Sequence, residues 1–162
     1  MSLLFADKTI LLGVCGSVAA YRACDIASQL TQRGAVVLTA MTRSAQQLVC
    51  PASFEAVTGQ HVITEMFAPV PTPGVEHIAV AQRADVFLIA PATANMMAKA
   101  AHGIADDWLS TTLLATRAPV LFAPAMNSAM YAHPATQANI AQLKKRGALF
   151  VGPASGNLAC GD

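Results

Sequence analysis

Charge is scarce in this chain. Asp, Glu, Lys and Arg make up only 12% of its 162 residues, about half the roughly 25% usual in soluble domains. The net charge of +1 offers no electrostatic handle for nucleic acid. The densest basic stretch, Lys144-Lys145-Arg146, is followed by Gly147 and reads as the polar end of a helix. Long apolar runs are missing too: none approaches the roughly 18 residues needed to cross a membrane. Leu3-Leu4-Phe5 is too short for a signal-peptide core, and Asp7-Lys8 interrupts it. Cys15, Cys24, Cys50 and Cys160 form no C-x-x-C pair and have no histidines at zinc-finger spacing. The expectation is a cytoplasmic chain with reduced thiols, no disulfide framework and no metal site. A G-x-G-x-x-G fingerprint is also lacking, as is an acidic residue at the end of the second strand. Both absences argue against a nicotinamide dinucleotide.

What the chain has in surplus is apolar surface: 54% of residues are hydrophobic. Residues 1–162 suit a single domain, and one domain of this size cannot easily hide so much. A homo-oligomer is therefore expected. Strand and helix patterns alternate. Thr9–Leu12, Ala35–Ala40, Val86–Ala90, Val120–Ala123 and Leu149–Val151 read as strands, with a weak one at His61–Thr64. Helical patterns cover Ser17–Arg33, Ser44–Val49, Ser53–Thr58, Glu76–Arg83, Ala94–His102, Trp108–Arg117 and Pro134–Arg146. Ser17 is the expected N-cap of the first helix and Gly34 its stop; Pro134 opens the last one. This order gives an α/β fold: a three-layer, doubly wound parallel sheet of the flavodoxin-like or Rossmann-like kind.

Two apolar runs end in motifs that stand out. Val86–Ala90 leads into Pro91-Ala92-Thr93-Ala94-Asn95, and Val120–Ala123 into Pro124-Ala125-Met126-Asn127-Ser128-Ala129-Met130-Tyr131. Both read as buried strands that break at a proline and release small and amide side chains where open parallel sheets bind ligands. Gly13-Val14-Cys15-Gly16-Ser17 lies where a phosphate-cradling turn would be. Thr42-Arg43-Ser44 follows the second strand with hydroxyls and one cation, which suits a phosphate monoester such as that of FMN. Each of these residues also has an ordinary reading. Thr93-Ala94-Asn95 would serve as a helix cap, Asn127 as a turn residue, Met130 as core filler and His77 as a solvated helix residue. Asp106-Asp107 reads as the cap of the Trp108 helix, its two carboxylates pointing apart.

Taken together, Gly16-Ser17-Val18-Ala19-Ala20-Tyr21, His77-Ile78, the Pro-Ala-Thr-Ala-Asn and Pro-x-Met-Asn-x-x-Met-aromatic motifs and the terminal Leu158-Ala159-Cys160-Gly161-Asp162 resemble one family. It is the homo-oligomeric flavin-containing cysteine decarboxylases, nearest their phosphopantothenoylcysteine decarboxylase branch. The resemblance implies FMN bound by Gly16, Ser17, Val18, Thr42, Arg43, Ser44, Thr93, Ala94, Asn95, Met96 and Ala125. It implies that Asn127 binds the cysteine carboxylate of a small-molecule substrate, with Met130, Asn157 and Ala159 nearby. His77 matches the family's active-site histidine and Cys160 its proton-donating cysteine. Trimers, some gathered into dodecamers, are the family's assembly.

The implied reaction converts 4′-phosphopantothenoylcysteine to 4′-phosphopantetheine in coenzyme A biosynthesis. The cysteine side chain is oxidised to a thioaldehyde β to the carboxylate, carbon dioxide leaves, and the enethiol is reduced again. Rival readings are a peptidyl-cysteine oxidative decarboxylase that stops at the enethiol, a non-catalytic FMN-binding regulatory flavoprotein and a flavin prenyltransferase of similar fold. Two positions depart from the family pattern: Tyr131 stands where tryptophan is usual, and the chain stops at Asp162 where the motif continues. A longer polypeptide is thus expected, with a phosphopantothenoylcysteine synthetase, fused or separate, as a further partner.

Overall fold

The computed structural model of the chain describes residues 3–66 and 76–152, with the backbone alone for residues 76 and 77. The elements run β1 (Thr9–Val14), α1 (Ala20–Gln32), β2 (Val36–Met41), a 3₁₀ turn (Ala45–Gln47), α2 (Pro51–Thr58), α3 (Glu76–Arg83), β3 (Val86–Ala92), α4 (Ala94–His102), α5 (Trp108–Ala115), β4 (Val120–Pro124), α6 (Ser128–Ala132), α7 (Pro134–Lys145) and β5 (Leu149–Phe150). Five strands form one sheet in the order β2-β1-β3-β4-β5, and every pairing is parallel. This is the flavodoxin-like arrangement.

The topology dictates where the helices lie. From β1 the chain steps to one side, and from β2 onward it steps to the other. Right-handed crossovers therefore put α1 on one face, where α2 joins it, and α3, α4, α5 and α7 on the other. On one face Ala20, Ala23 and Ala27 of α1 and Phe54 of α2 bury against Leu12, Val14, Val37 and Ala90. On the other, Val80, Met96, Met97, Trp108, Leu109, Ile140 and Leu143 bury against Leu11, Phe87, Ile89 and Phe122. The three fully buried phenylalanines, Phe54, Phe87 and Phe122, each contribute about 1.5–3 kcal/mol over leaving the ring in water. The first face is only partly covered. Leu88, Leu121 and Leu149 stand in register across β3, β4 and β5, and Leu149 is 57% exposed.

Several local expectations change. Helix α1 starts at Ala20, not at Ser17: its N-cap is Ala19, with no side-chain cap. Ser17 instead turns the chain, its N–H donating to Cys15 O at 2.9 Å. Helix α2 begins earlier than expected because Pro51 takes its first turn. Residues 44–49 yield only the 3₁₀ turn. The segment His61–Thr64 makes one parallel bridge, Ala40 to Ile63, and no strand. Strands β3 and β4 do not break at their prolines. β3 passes through Pro91 to Ala92, β4 ends on Pro124, and a register shift between Ile89 and Ala92 absorbs the missing N–H. The Asn127 loop is followed by a five-residue helix, α6. Other ends fall where expected: Gly34 and Gly147 lie just past their helices at φ 95° and 92°.

Candidate active site

All strands are parallel, so their carboxyl ends share one edge. The sheet's switch point lies there between β1 and β3, the place such folds hold ligands. Backbone bonds fasten the loops to one another. Cys15 N donates to Pro91 O at 3.3 Å, Thr42 N to Val14 O at 3.0 Å, and Ala125 N to Ala92 O at 3.1 Å. Gly16, Ser17, Val18, Thr42, Arg43, Ser44, Thr93, Ala94, Asn95, Ala125 and Asn127 therefore lie along one edge of the molecule.

The β1–α1 and β2 loops meet at Gly16. A Cβ there would fall 2.4 Å from Ser44 Cβ and 3.1 Å from the Ser44 carbonyl carbon, so the approach requires glycine. Among the described residues, the backbone N–H groups of Gly16 and Val18 have no protein acceptor, nor have those of Ala94 and Asn95 at the start of α4. These donors, together with the amino ends of α1 and α4, favour an anion. Arg43 and Ser44 are exposed beside them. Thr42 Oγ1 accepts from Ala45 N at 3.2 Å, which shapes the loop. Thr93 Oγ1 caps α4 by accepting from Met96 N at 3.2 Å. Met96 is otherwise core: its side chain is 1% exposed.

Asn127 caps α6, its Oδ1 accepting from Ala129 N at 2.8 Å. Met130, on that helix, is 52% exposed, so it is not core filler. His77 is the second residue of α3. That helix ends at the amino edge, where Asp85 N donates to Thr9 O at 2.8 Å. Six residues back at 1.5 Å each, about 9 Å, His77 lies toward the carboxyl edge. Asn157, Ala159 and Cys160 fall outside the described residues.

Two features escaped the sequence reading. Cys15, 1% exposed, lies under the crevice against Thr93, and burial pushes its thiol up to about 12 despite the bonds from Thr93. This thiol stays protonated and inert. Its only signal in the sequence was its place between a strand and Gly16. The second is an ion cluster behind the crevice. Asp106 and Asp107 do not point apart: both reach Lys99 Nζ, at 2.6 and 2.9 Å, because the turn before α5 folds back on α4. Asp107 also forms a capping box with Ser110. Burial alone would raise the Asp107 carboxyl, but Lys99 and Ser110 together hold it below the usual range. Among the described residues no cluster of metal-ligating side chains occurs, and no helix is long and apolar enough to cross a membrane.

The family model Flavoprotein matches residues 5–162. The coenzyme A biosynthesis bifunctional protein CoaBC of Mycobacterium tuberculosis is 48% identical over 155 residues, covering 96% of this chain and 37% of that protein. CoaBC of Bacillus subtilis is 47% identical over 155 residues, covering 96% and 38%. The chain thus spans little more than a third of the curated relatives it matches. Among solved structures, the FMN-dependent cysteine decarboxylase SpaF superposes with a TM-score of 0.87 at 42% identity, covering 94% of this chain and 87% of that one.

Proposed function

This chain belongs to the Flavoprotein family, and on that premise we propose that it binds FMN and decarboxylates 4′-phosphopantothenoylcysteine to 4′-phosphopantetheine. The observation that carries the reading is the convergence of the unspent N–H groups of Gly16, Val18, Ala94 and Asn95 on one edge, beside a loop pair that only glycine permits. The fit to FMN is chemical. Gly16, Ser17, Val18, Thr42, Arg43 and Ser44 would hold its phosphate with amides, hydroxyls and one guanidinium. Thr93, Ala94, Asn95 and Ala125 would hold the remainder. Bound there, FMN would supply the reversible two-electron oxidation by which the substrate itself gains the electron sink that a cysteine carboxylate lacks.

The chain's own residues bind, orient and move protons. Asn127, its amide orientation fixed by the bond to Ala129 N, presents donor chemistry that a carboxylate accepts without being neutralised. The carboxylate can therefore still leave as carbon dioxide. His77 supplies an imidazole, a side chain suited to relaying the substrate thiol proton, and Cys160 protonates carbon at the last step. The full reaction is redox-neutral.

The same reading makes the chain a cytoplasmic homo-oligomer built from trimers, up to a dodecamer. The partly uncovered row Leu88, Leu121 and Leu149 and exposed Val18, Tyr21 and Met130 support burial against further copies. The bifunctional relatives support a synthetase as the natural companion of this domain.

The test is product mass after incubating the FMN-loaded protein with the substrate. The saturated thiol is expected. A product two hydrogens lighter would mark an oxidative decarboxylase ending at the enethiol, and bound flavin with no turnover would mark a regulatory flavoprotein. Asn127→Asp keeps the α6 cap but sets one carboxylate against another. It should abolish turnover at neutral pH while flavin stays bound; full activity would remove the role given to Asn127.

A further inference from the structure

Helices α4, α5 and α7 do not close over β4. Between them lies a cleft of about 450 Å³, within the roughly 300–1,000 Å³ range of small-molecule sites. It borders Pro119 and Val120, where β4 begins, and so lies toward the amino edge, away from the candidate active site. The apolar part of its lining is Ile104, Leu113, Leu114 and Val120 over buried Phe122 and Leu143, and Ser110 and Thr116 contribute to the polar part. Two guanidinium groups stand at its border, Arg117 and Arg146. Arg117 has no hydrogen bond or ion pair among the described residues. Arg146 is anchored by one N–H on Ala101 O at 2.7 Å, an oxygen that Gln142 Nε2 also meets at 2.7 Å. A guanidinium carries five N–H donors, so Arg146 is held in place with donors to spare. Lys99 borders the cleft as well, but Asp106 and Asp107 already neutralise it. Among the described residues, no Asp or Glu lines the space.

We propose that this cleft binds a small amphipathic carboxylate, its hydrocarbon body against Ile104, Leu113 and Leu114 and its anionic head between Arg117 and Arg146. The inference goes beyond the proposed decarboxylation and does not depend on it. Basic side chains near helix ends also complement the macrodipole. That role asks for no apolar partner, so the distinguishing property is a requirement for both halves of the ligand.

The experiment is calorimetric titration of the flavin-loaded protein with octanoate, with octanol and octylammonium as matched controls. One saturable octanoate site per chain is expected, with the two controls at least about tenfold weaker. Arg117→Gln should weaken octanoate about tenfold and leave the flavin absorption spectrum unchanged. Arg33→Gln, at the end of α1 on the opposite face, should leave octanoate binding as it was. Absence of saturable binding, equal affinity for octanol, or indifference to Arg117→Gln would overturn the proposal. So would displacement of the bound flavin by octanoate, because the anion would then be sitting in the active-site crevice.

Discussion

Two helices begin at the same crevice and begin differently. Helix α4 starts conventionally: Thr93 is extended, at φ −83° and ψ 158°, and its hydroxyl satisfies the Met96 N–H. Helix α1 starts from Ala19, a residue with no capping group, after a turn forced close to Ser44. One start spends its side chain on stability; at the other, Ala19 and Ala20 donate to Ser17, and the turn before them leaves the Gly16 and Val18 N–H groups without a protein acceptor among the described residues. A helix end without a cap is normally a defect. Here it lies where an anion would supply the missing acceptor, so the local cost and the binding site are one feature.

The largest expected effect comes from filling the α1 turn. Gly16→Ala puts a methyl group 2.4 Å from Ser44 Cβ, against backbone as well as side chain. It should cost about 1–3 kcal/mol of stability, the usual range for overpacking, and reduce FMN affinity at least about 100-fold. Flavin fluorescence titration and urea unfolding measure the two losses, and parental FMN binding would mean the turn is no cradle. Ala19→Asp would sharpen the contrast by giving α1 the cap it lacks. The apo protein should gain about 0.5–1 kcal/mol, while FMN binding weakens roughly tenfold because the new carboxylate sets a negative charge beside the phosphate at the same helix end. A variant both more stable and tighter for FMN would refute the idea that the start is left open for an anion.

Thr93→Ala tests the other helix. It should lower stability by about 1 kcal/mol, and Thr93→Ser should recover most of it in the same urea measurement. The smallest effect concerns the capped start of α5. Asp107 is held below the usual carboxylate range, so its contribution is present above its unfolded pKa, about 3.9. It is lost as pH falls through the lower folded value. Asp107→Asn should therefore cost up to about 1 kcal/mol at pH 7, with the gap to the parent narrowing below roughly pH 4. A gap independent of pH would assign the effect to packing.

Much of this architecture was legible because apolar periodicity and stop residues are local signals. Ala94–His102 and Glu76–Arg83 match the helices observed. What escaped was decided by tertiary contact. Ser17 is the better capping residue, yet the closeness of Gly16 to Ser44 delays α1 until Ala20. Pro91 ends most strands, but β4 still meets Ala92 beyond the register shift. The Asp106-Asp107 pair was judged as neighbours on a helix, whereas the turn delivers both to Lys99. The candidate site was readable as loops, since small residues after strands are local too. That Cys15 lies against Thr93 beneath it depended on β1 and β3 being adjacent, which no local pattern states.

Cys15 also gives this protein a built-in clock. Its thiol is sealed from solvent and its pKa is pushed up to about 12, while Cys50 is exposed and Cys24 half-buried. An alkylating reagent should mark Cys50 at once, whereas Cys15 reacts only when the strand ends part. Mass mapping of Cys15 over time would then count opening events of the crevice floor in the native state, and slowing by added FMN would time how long the cofactor keeps that floor shut.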